Sequence, residues 1–539
     1  MAFLTKAANR GSIATGYEIE NSLKLEEANI ECINTPASYA SITVSNVYKG
    51  TTSFWIKRTS LNNGSGVQWI FNGSNSARYD GIYFDVNDKL KGYFSALGNG
   101  ADFVTTQVFR DTSAWYHIVM AIDTSHSTAS ERIKIYVNGE QITAWDTSPS
   151  IDQNTQLTSL GTDAYHGWGT NYSYNLGVST DGSSEYLANC IHIDGQQLAS
   201  TDFGEFDEDT GIWKPKEYTG TYGNKGYLLE FKSSSALGTD TSGNGNDLTN
   251  NRNITSADQA TDTPTNNFCT LNSISYNIPY TASQGNTKWS KNDTTYGMAS
   301  GTHYVGAGKW YWEIKATDIG FYYHCRFGII DAAKPTVGSN EYGYEDPSLS
   351  ANDPEILAMS GSPNSWYMNG YSTIANNGST NSVDYSFYDG DILAFALDMD
   401  NGGYWMGSSR FQGGGNGSFW IAPGGTATSG SVAITDPTNG NYALVGDGGG
   451  TNNGTPNFNG GSINGGSLLT AGFTLVTPLL GAYSANTSAT LEVNFGGFTS
   501  YGETGGYSDE NGYGNFAYAV PSGFYCLCSK NIAEFGGTA

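Results

Sequence analysis

Between residues 51 and 137 the chain repeats one pattern: a short run of alternating apolar and polar residues, then a cluster of turn formers. Thr51–Lys57 (TTSFWIK), Gly66–Phe71 (GVQWIF), Gly81–Val86 (GIYFDV), Lys89–Phe94 (KLKGYF), Trp115–Asp123 (WYHIVMAID) and Arg132–Val137 (RIKIYV) all carry it. A period of two sends successive side chains to opposite faces of an extended strand. No stretch repeats apolar residues at the three, four and seven spacing of a helix. Asn138-Gly139 follows one alternating run directly, and this dipeptide tolerates the positive φ values that a two-residue hairpin turn needs. The expectation is an all-β fold of antiparallel β-sandwiches, with little helix.

A chain of 539 residues has room for two to four domains. Charged residues are 14% of it, against about 25% in an ordinary globular protein. Aromatics are 13%, enough to bury cores and to argue against disorder. The net charge of -26 weighs against nucleic acid or an anionic membrane as partner. No apolar run reaches the roughly 20 residues that span a bilayer, and the opening MAFLTKAANRGS lacks the apolar core of a secretory leader. The six cysteines, Cys32, Cys190, Cys269, Cys325, Cys526 and Cys528, are scattered too widely for a disulfide framework. Free, buried thiols in a chain made in a reducing compartment are expected.

The alternation breaks between His192 and Phe231. This stretch is rich in turn formers yet carries Leu198, Phe203, Phe206, Ile212, Trp213, Tyr218 and Tyr222. A solvated linker does not hold so many large apolar residues, so we expect a strap folded onto the domains it joins, with Phe206 and Trp213 buried. The organisation that follows is an N-terminal arm with first short strands (residues 1–36), a jelly roll (37–200), the packed strap and connector (201–270) and a second β-sandwich (271–539). The second sandwich is interrupted by a Gly/Asn-rich insertion at about 407–490.

The pair WYHIV at 115–119 and IYVNG at 135–139, two strands with their hairpin, resembles the concanavalin-like jelly roll of laminin-G-type domains. In the second half, GKWYWEIK at 308–315, RFGII at 326–330 and DGDILAFALDMD at 389–400 resemble a SPRY-type sandwich. There the usual aromatic-x-Lys-Asn-Gly turn is replaced by Gly403-Tyr404-Trp405-Met406-Gly407. TDFGEFDEDTGIWKPKEYTGTYG at 201–223, DTSGNGNDLT at 240–249 and DTPTNNFCTLN at 262–272 resemble virion proteins of tailed bacteriophages. In that family a concanavalin-like domain is joined by such a strap to a second sandwich. The resemblance implies a non-enzymatic virion protein assembled in the bacterial host cytoplasm, of the fibre, spike or appendage type, that engages host-surface glycans and other virion proteins. A capsid decoration protein is the alternative, and a polysaccharide hydrolase a third reading from fold analogy. So many aromatics in loops, with so little charge, also point to a homo-oligomer, a trimer by resemblance.

Four groups of residues invite a functional reading. His166, Trp168 and Tyr172, and separately Trp366, Tyr367 and Tyr371, put aromatics into Gly/Asn-rich stretches. An aromatic face beside amide and hydroxyl groups is what a sugar ring stacks on, and such residues equally serve packing. Asp240, Asn244, Asn246 and Asp247 bring hard oxygens together at a spacing calcium favours, although Asn, Asp and Gly also build tight turns for their own backbone reasons. Glu205 and Asp207 alternate as glycosidase carboxylates do, but they sit in the strap, where an acidic turn is expected. His117 and His192 fall within strands and read as ordinary strand residues.

Overall fold

The alternating runs become strands of antiparallel sheets, and among the described residues helix is confined to short pieces. The structure, a computed structural model, describes residues 16–61, 66–75, 77–94, 103–173, 177–273, 280–291, 296–319, 325–331, 365–369, 373–376, 379–382, 389–400, 403–410, 416–420, 474–483, 488–502 and 505–536. It divides into two units, Met1–Asn267 with Ser283–Gly285, and Phe268–Ala282 with Asn286–Ala539.

In the first unit one sheet runs in the order Glu140–Gln141, Ile133–Val137, Tyr116–Asp123, Lys49–Arg58, Glu185–Asp194, Ser22–Leu25, Gln259–Ala260. The facing sheet runs Trp145–Thr147, Phe103–Val108, Lys89–Phe94, Tyr79–Phe84, Gln68–Ser74, Tyr165–Trp168, Cys32–Asn34, Thr249–Asn251. The resemblance on 115–139 is met in register: Ile118 pairs with Val137 and Ile122 with Ile133. Asn138 and Gly139 take φ values of 48° and 87°, and the Asn138 side chain accepts the backbone N–H of His117 at 2.8 Å. Phe54, Ile56, Phe71, Ile82, Phe84 and Ile118 meet in the core between the sheets.

Lys24, Tyr186 and Lys57 lie side by side across three strands of the first sheet. They alternate with core residues such as Leu25 and Ile56, so the pattern alone assigns them to solvent. Instead the arm, the connector and the Ser283–Gly285 segment of this unit bury all three. Lys24 pairs with Glu31 at 3.0 Å and Asp258 at 2.8 Å, Lys57 pairs with Asp262 at 2.8 Å, and the Tyr186 hydroxyl donates to the Gly285 carbonyl. Charges taken out of water are tolerated only when paired in this way.

The strap is part of this unit. Gly204–Phe206 and Trp213–Pro215 form a two-stranded hairpin. Trp213 is buried against Gly139 and Gly204, where a Cβ on either glycine would stand 2.4 Å from the indole. Phe206 departs from the expectation. It pairs directly with Trp213 across the hairpin and shares its face, yet it is 45% exposed: its ring rests edge-on against the indole at 4.9 Å, and the indole rather than Phe206 takes the buried place.

In the second unit one sheet is built from Lys288–Lys291, Ala489–Asn494, Lys309–Asp318, Ile392–Asp398, Gly403–Arg410 and Asn416–Trp420, with Tyr525–Cys526 added parallel to Lys309–Asp318. The other contains Tyr296–Ser300, Val476–Tyr483, Cys325–Asp331, Ser365–Asn369, Thr373–Asn376 and Ser379–Ser382. Trp310, Trp312, Phe327, Phe395 and Leu480 share its core. Gly403–Arg410 and Val476–Tyr483 both lie wholly or partly within the stretch read as an insertion, yet both pair within the sandwich. The excursion is therefore shorter than 407–490, since Val476 and Leu480 point into the core and the stretch carries a real strand. Residues 421–473 lie outside the described residues. The fully buried Glu313 carboxylate ties the C-terminal segment down by accepting from the Tyr311 and Tyr501 hydroxyls and from the Ala517 and Tyr518 amides.

Candidate functional site

His166 and Trp168 stand two apart on Tyr165–Trp168 and so share a face, and that face is the core. Both are 0% exposed. Phe54 and Phe71 pack on the Trp168 ring, with centroids 5.4 and 4.8 Å away. The glycan-stacking reading of these two residues is corrected: neither offers a face to a sugar. Gly169, which made the segment look like a loop, takes φ +85°, and a Cβ there would lie 2.5 Å from Leu25. It serves close packing rather than loop freedom.

The polar atoms of this interior form one directed chain. The Trp168 indole N–H donates to the Tyr227 hydroxyl at 3.1 Å, which lies 3.3 Å from His166 Nδ1. His166 Nε2 lies 2.9 Å from the Ser159 carbonyl. A carbonyl only accepts, so Nε2 carries the proton and Nδ1 receives one from Tyr227. Tyr39 donates to the Lys225 carbonyl at 2.6 Å, while Lys225 Nζ donates to the carbonyls of Gly161, Thr162 and Ala164. The His192 ring sits 4.3 Å from that of His166. Burial pushes His192 down to about 3 and His166 well below its usual value, with the neighbouring His192 adding to the latter. These are neutral histidines that hold a core together. Sequence reasoning missed Tyr39, Lys225 and Tyr227; the period-two spacing of His166 and Trp168 was the available signal.

The backbone places Tyr172 on Thr170–Ser173 and Trp366 and Tyr367 on Ser365–Asn369. Their side chains, and Tyr371 altogether, lie outside the described residues.

In the calcium candidate the oxygens have other work. Asp240 Oδ1 accepts the amides of Leu228 and Ser242, its Oδ2 accepts that of Asn246, and Asp247 Oδ1 accepts that of Asp240. Asn244 and Asn246 donate to the carbonyls of Gly223, Asn224 and Gly226. Carboxylates aimed at backbone N–H groups are turn builders, and the four residues do not fit a calcium site. The acids of the strap behave alike. Asp207 Oδ1 accepts the amides of Asp209 and Thr210 and the Thr210 hydroxyl. The Thr210 hydroxyl and amide, with Lys214, hold the Asp207 carboxyl below the usual carboxylate range. Glu205 lies 3.6 Å from the same Lys214. A general acid for glycoside hydrolysis needs its pKa raised instead.

The first unit is thus two facing antiparallel sheets, with the 115–139 strand pair in register and a strap docked on the sheet that contains it. Residues 34–175 match the Concanavalin A-like lectin/glucanases superfamily. That stretch has the fold of a concanavalin A-like, laminin-G-like domain. Among solved structures, the SPRY domain of human HERC1 is similar at 12% identity and a TM-score of 0.21, over 38% of this chain and 87% of that one. A heptameric SAP-like pentraxin from Limulus polyphemus is similar at 14% identity and a TM-score of 0.26, over 34% and 81%. The CBM40 domain of a Ruminococcus gnavus IT-sialidase is similar at 14% identity and a TM-score of 0.24, over 34% and 96%. These likenesses concern the fold alone. No curated protein matches the chain.

Proposed function

We propose that the chain is a non-enzymatic structural protein of a tailed-phage virion, of the fibre, spike or appendage type, working as a homo-oligomer that binds host-surface glycans. The observation that carries the reading is the strap. One of the segments that resemble such virion proteins, residues 201–223, folds onto the concanavalin A-like domain through Trp213, which supports a strap of the kind that the resemblance implies. The engagement of Asp207 by Thr210 and Lys214 supports a binding module over a hydrolase that would use this carboxylate. A net charge of -26 favours neutral glycans as ligands, since like-charged surfaces repel over a Debye length of about 8 Å in physiological salt. Weak single-site binding gains from several copies on one particle.

The burial of His166 and Trp168 favours a second reading, a capsid decoration protein, in which aromatics serve packing. Purified full-length chain separates the two. As an adhesin it occupies host cells and blocks particle adsorption in a dose-dependent way, and Trp366→Ala with Tyr371→Ala weakens the block. Unimpaired adsorption at saturating chain rejects the adhesin reading and leaves decoration.

A further inference from the structure

Lys57 is a lysine with no exposure to solvent, and its ammonium nitrogen is held between two different side-chain oxygens. Asp262 Oδ2 and Asn267 Oδ1 each lie 2.8 Å from Nζ. Asp262 is 1% exposed and Asn267 is 6% exposed. The Trp115 indole N–H donates to Asp262 Oδ1 at 3.1 Å, and Asn267 Nδ2 donates to the Ser113 carbonyl at 2.8 Å. The Tyr186 ring lies 6.0 Å from Nζ. Each of the three residues is thus fixed from a second side, in a site walled by aromatics and closed to water.

An ion pair alone accounts for Lys57 and Asp262. It does not account for a carboxamide placed on the same nitrogen. The Asn267 carbonyl carbon is one C=O bond, about 1.2 Å, from Oδ1, so Nζ lies within about 4.0 Å of an electrophilic carbon. That is the neighbourhood of a near-attack arrangement, in which held geometry replaces a bimolecular encounter. What the amine needs in order to react is to lose its proton, and Asp262 is placed to take it.

We propose that Lys57 and Asn267 form an intramolecular amide cross-link, with Asp262 as the proton carrier. In the first step a proton passes from the Lys57 ammonium to the Asp262 carboxylate, a transfer that removes both charges from a dry interior. Neutral Nζ then attacks Cγ of Asn267. The tetrahedral intermediate collapses by breaking the Cγ–Nδ2 bond, Asp262 returns a proton to the departing nitrogen, and ammonia leaves, carrying the surplus proton as ammonium. One C–N bond forms and one breaks, and nothing is oxidised or reduced. Exclusion of water protects the intermediate from hydrolysis. The bond joins the strand Lys49–Arg58 to the connector, and makes permanent the cover that the connector provides over this face of the sheet.

Intact mass spectrometry of the denatured full-length chain, followed by tryptic mapping, tests this. The expected result is a mass lower than that of the sequence by one ammonia, no cleavage after Lys57, and a branched peptide joining Lys57 to the segment containing Asn267. Asp262→Asn, confirmed as folded by its β-type circular dichroism, is expected to recover the full mass for that sequence. A full-mass natural chain with ordinary cleavage after Lys57 overturns the proposal, and this reading requires no variant. Loss of water in place of ammonia overturns Asn267 as the acceptor. A cross-link that persists in folded Asp262→Asn overturns the role of Asp262.

Discussion

The indole N–H of Trp213 donates to Nδ1 of His117 at 2.9 Å. The two rings stand 5.9 Å apart and nearly parallel, and Trp55 stacks on His117 at 4.7 Å. An indole only donates, so Nδ1 accepts, Nε2 carries the proton, and Ser53 Oγ, 2.9 Å away, receives it. This contact fixes the histidine tautomer and helps to fasten the strap to the first sheet, where Phe203 also packs on Val119, Ile191 and Ile193. Trp213→Phe keeps much of the packing but leaves Nδ1 buried without a donor, a loss of about 1–3 kcal/mol. Urea unfolding of the variant is expected to show a lower midpoint, and an unchanged midpoint rejects the anchor.

Acid should undo the first unit before it undoes ordinary surface ion pairs. Burial pushes His117 and His192 down to about 3 and His166 well below its usual range. The unfolded chain binds protons at these residues from about pH 6.5 downward, and the folded chain does not. Their contribution is complete above about pH 6.5 and is lost as pH falls toward about 3. The slope reaches about 1.4 kcal/mol per pH unit for each histidine. Unfolding midpoints measured between pH 7 and pH 4.5 should fall steeply, and a flat profile contradicts the buried cluster.

Glu185 acts in the opposite direction. It is buried beside Arg58, and burial raises its carboxyl to about 8, against the lowering effects of Ser183 and Arg58. Its Oε1 has no hydrogen-bond partner in the protein. The folded chain therefore holds a proton here that the unfolded chain releases above about pH 4.3, and stability from this group falls as pH rises through about 8. Glu185→Gln mimics the neutral acid. It is expected to raise the thermal midpoint at pH 8 and to leave it close to the parent value at pH 4.5. An equal effect at both values points to packing instead of ionisation.

The Asp240 turn predicts indifference to calcium. Its two oxygens already serve three backbone amides, so millimolar calcium or a chelator should leave the unfolding midpoint unchanged. A saturable upward shift is the signature of binding to the native state and contradicts the turn reading. Asp240→Ala orphans those amides and is expected to lower stability by about 3 kcal/mol or more.

What the sequence made legible was whatever obeys a local period. The strand pair at 115–137 could be read because alternation and an Asn-Gly turn agree, and Trp213 because a large aromatic in a turn-rich stretch needs cover. Trp168 was misread because flanking glycines signal loops, whereas Gly169 is there to admit Leu25. Phe206 was misread because an aromatic can lean on a buried neighbour of its own face, here Trp213, and still stand largely in solvent. Lys24 and Lys57 were beyond local reading altogether. A charged residue opposite a core position looks solvated until a connector some 200 residues later in the chain covers it, as Asp258 and Asp262 do.

The central claim, that this chain is part of a tailed-phage particle, is tested most directly by immunogold electron microscopy of purified particles with antibody against the full chain. The account predicts regular labelling of projections from the particle, several gold particles at each symmetric position. Unlabelled particles, from lysates in which the same antibody detects the free chain, contradict it.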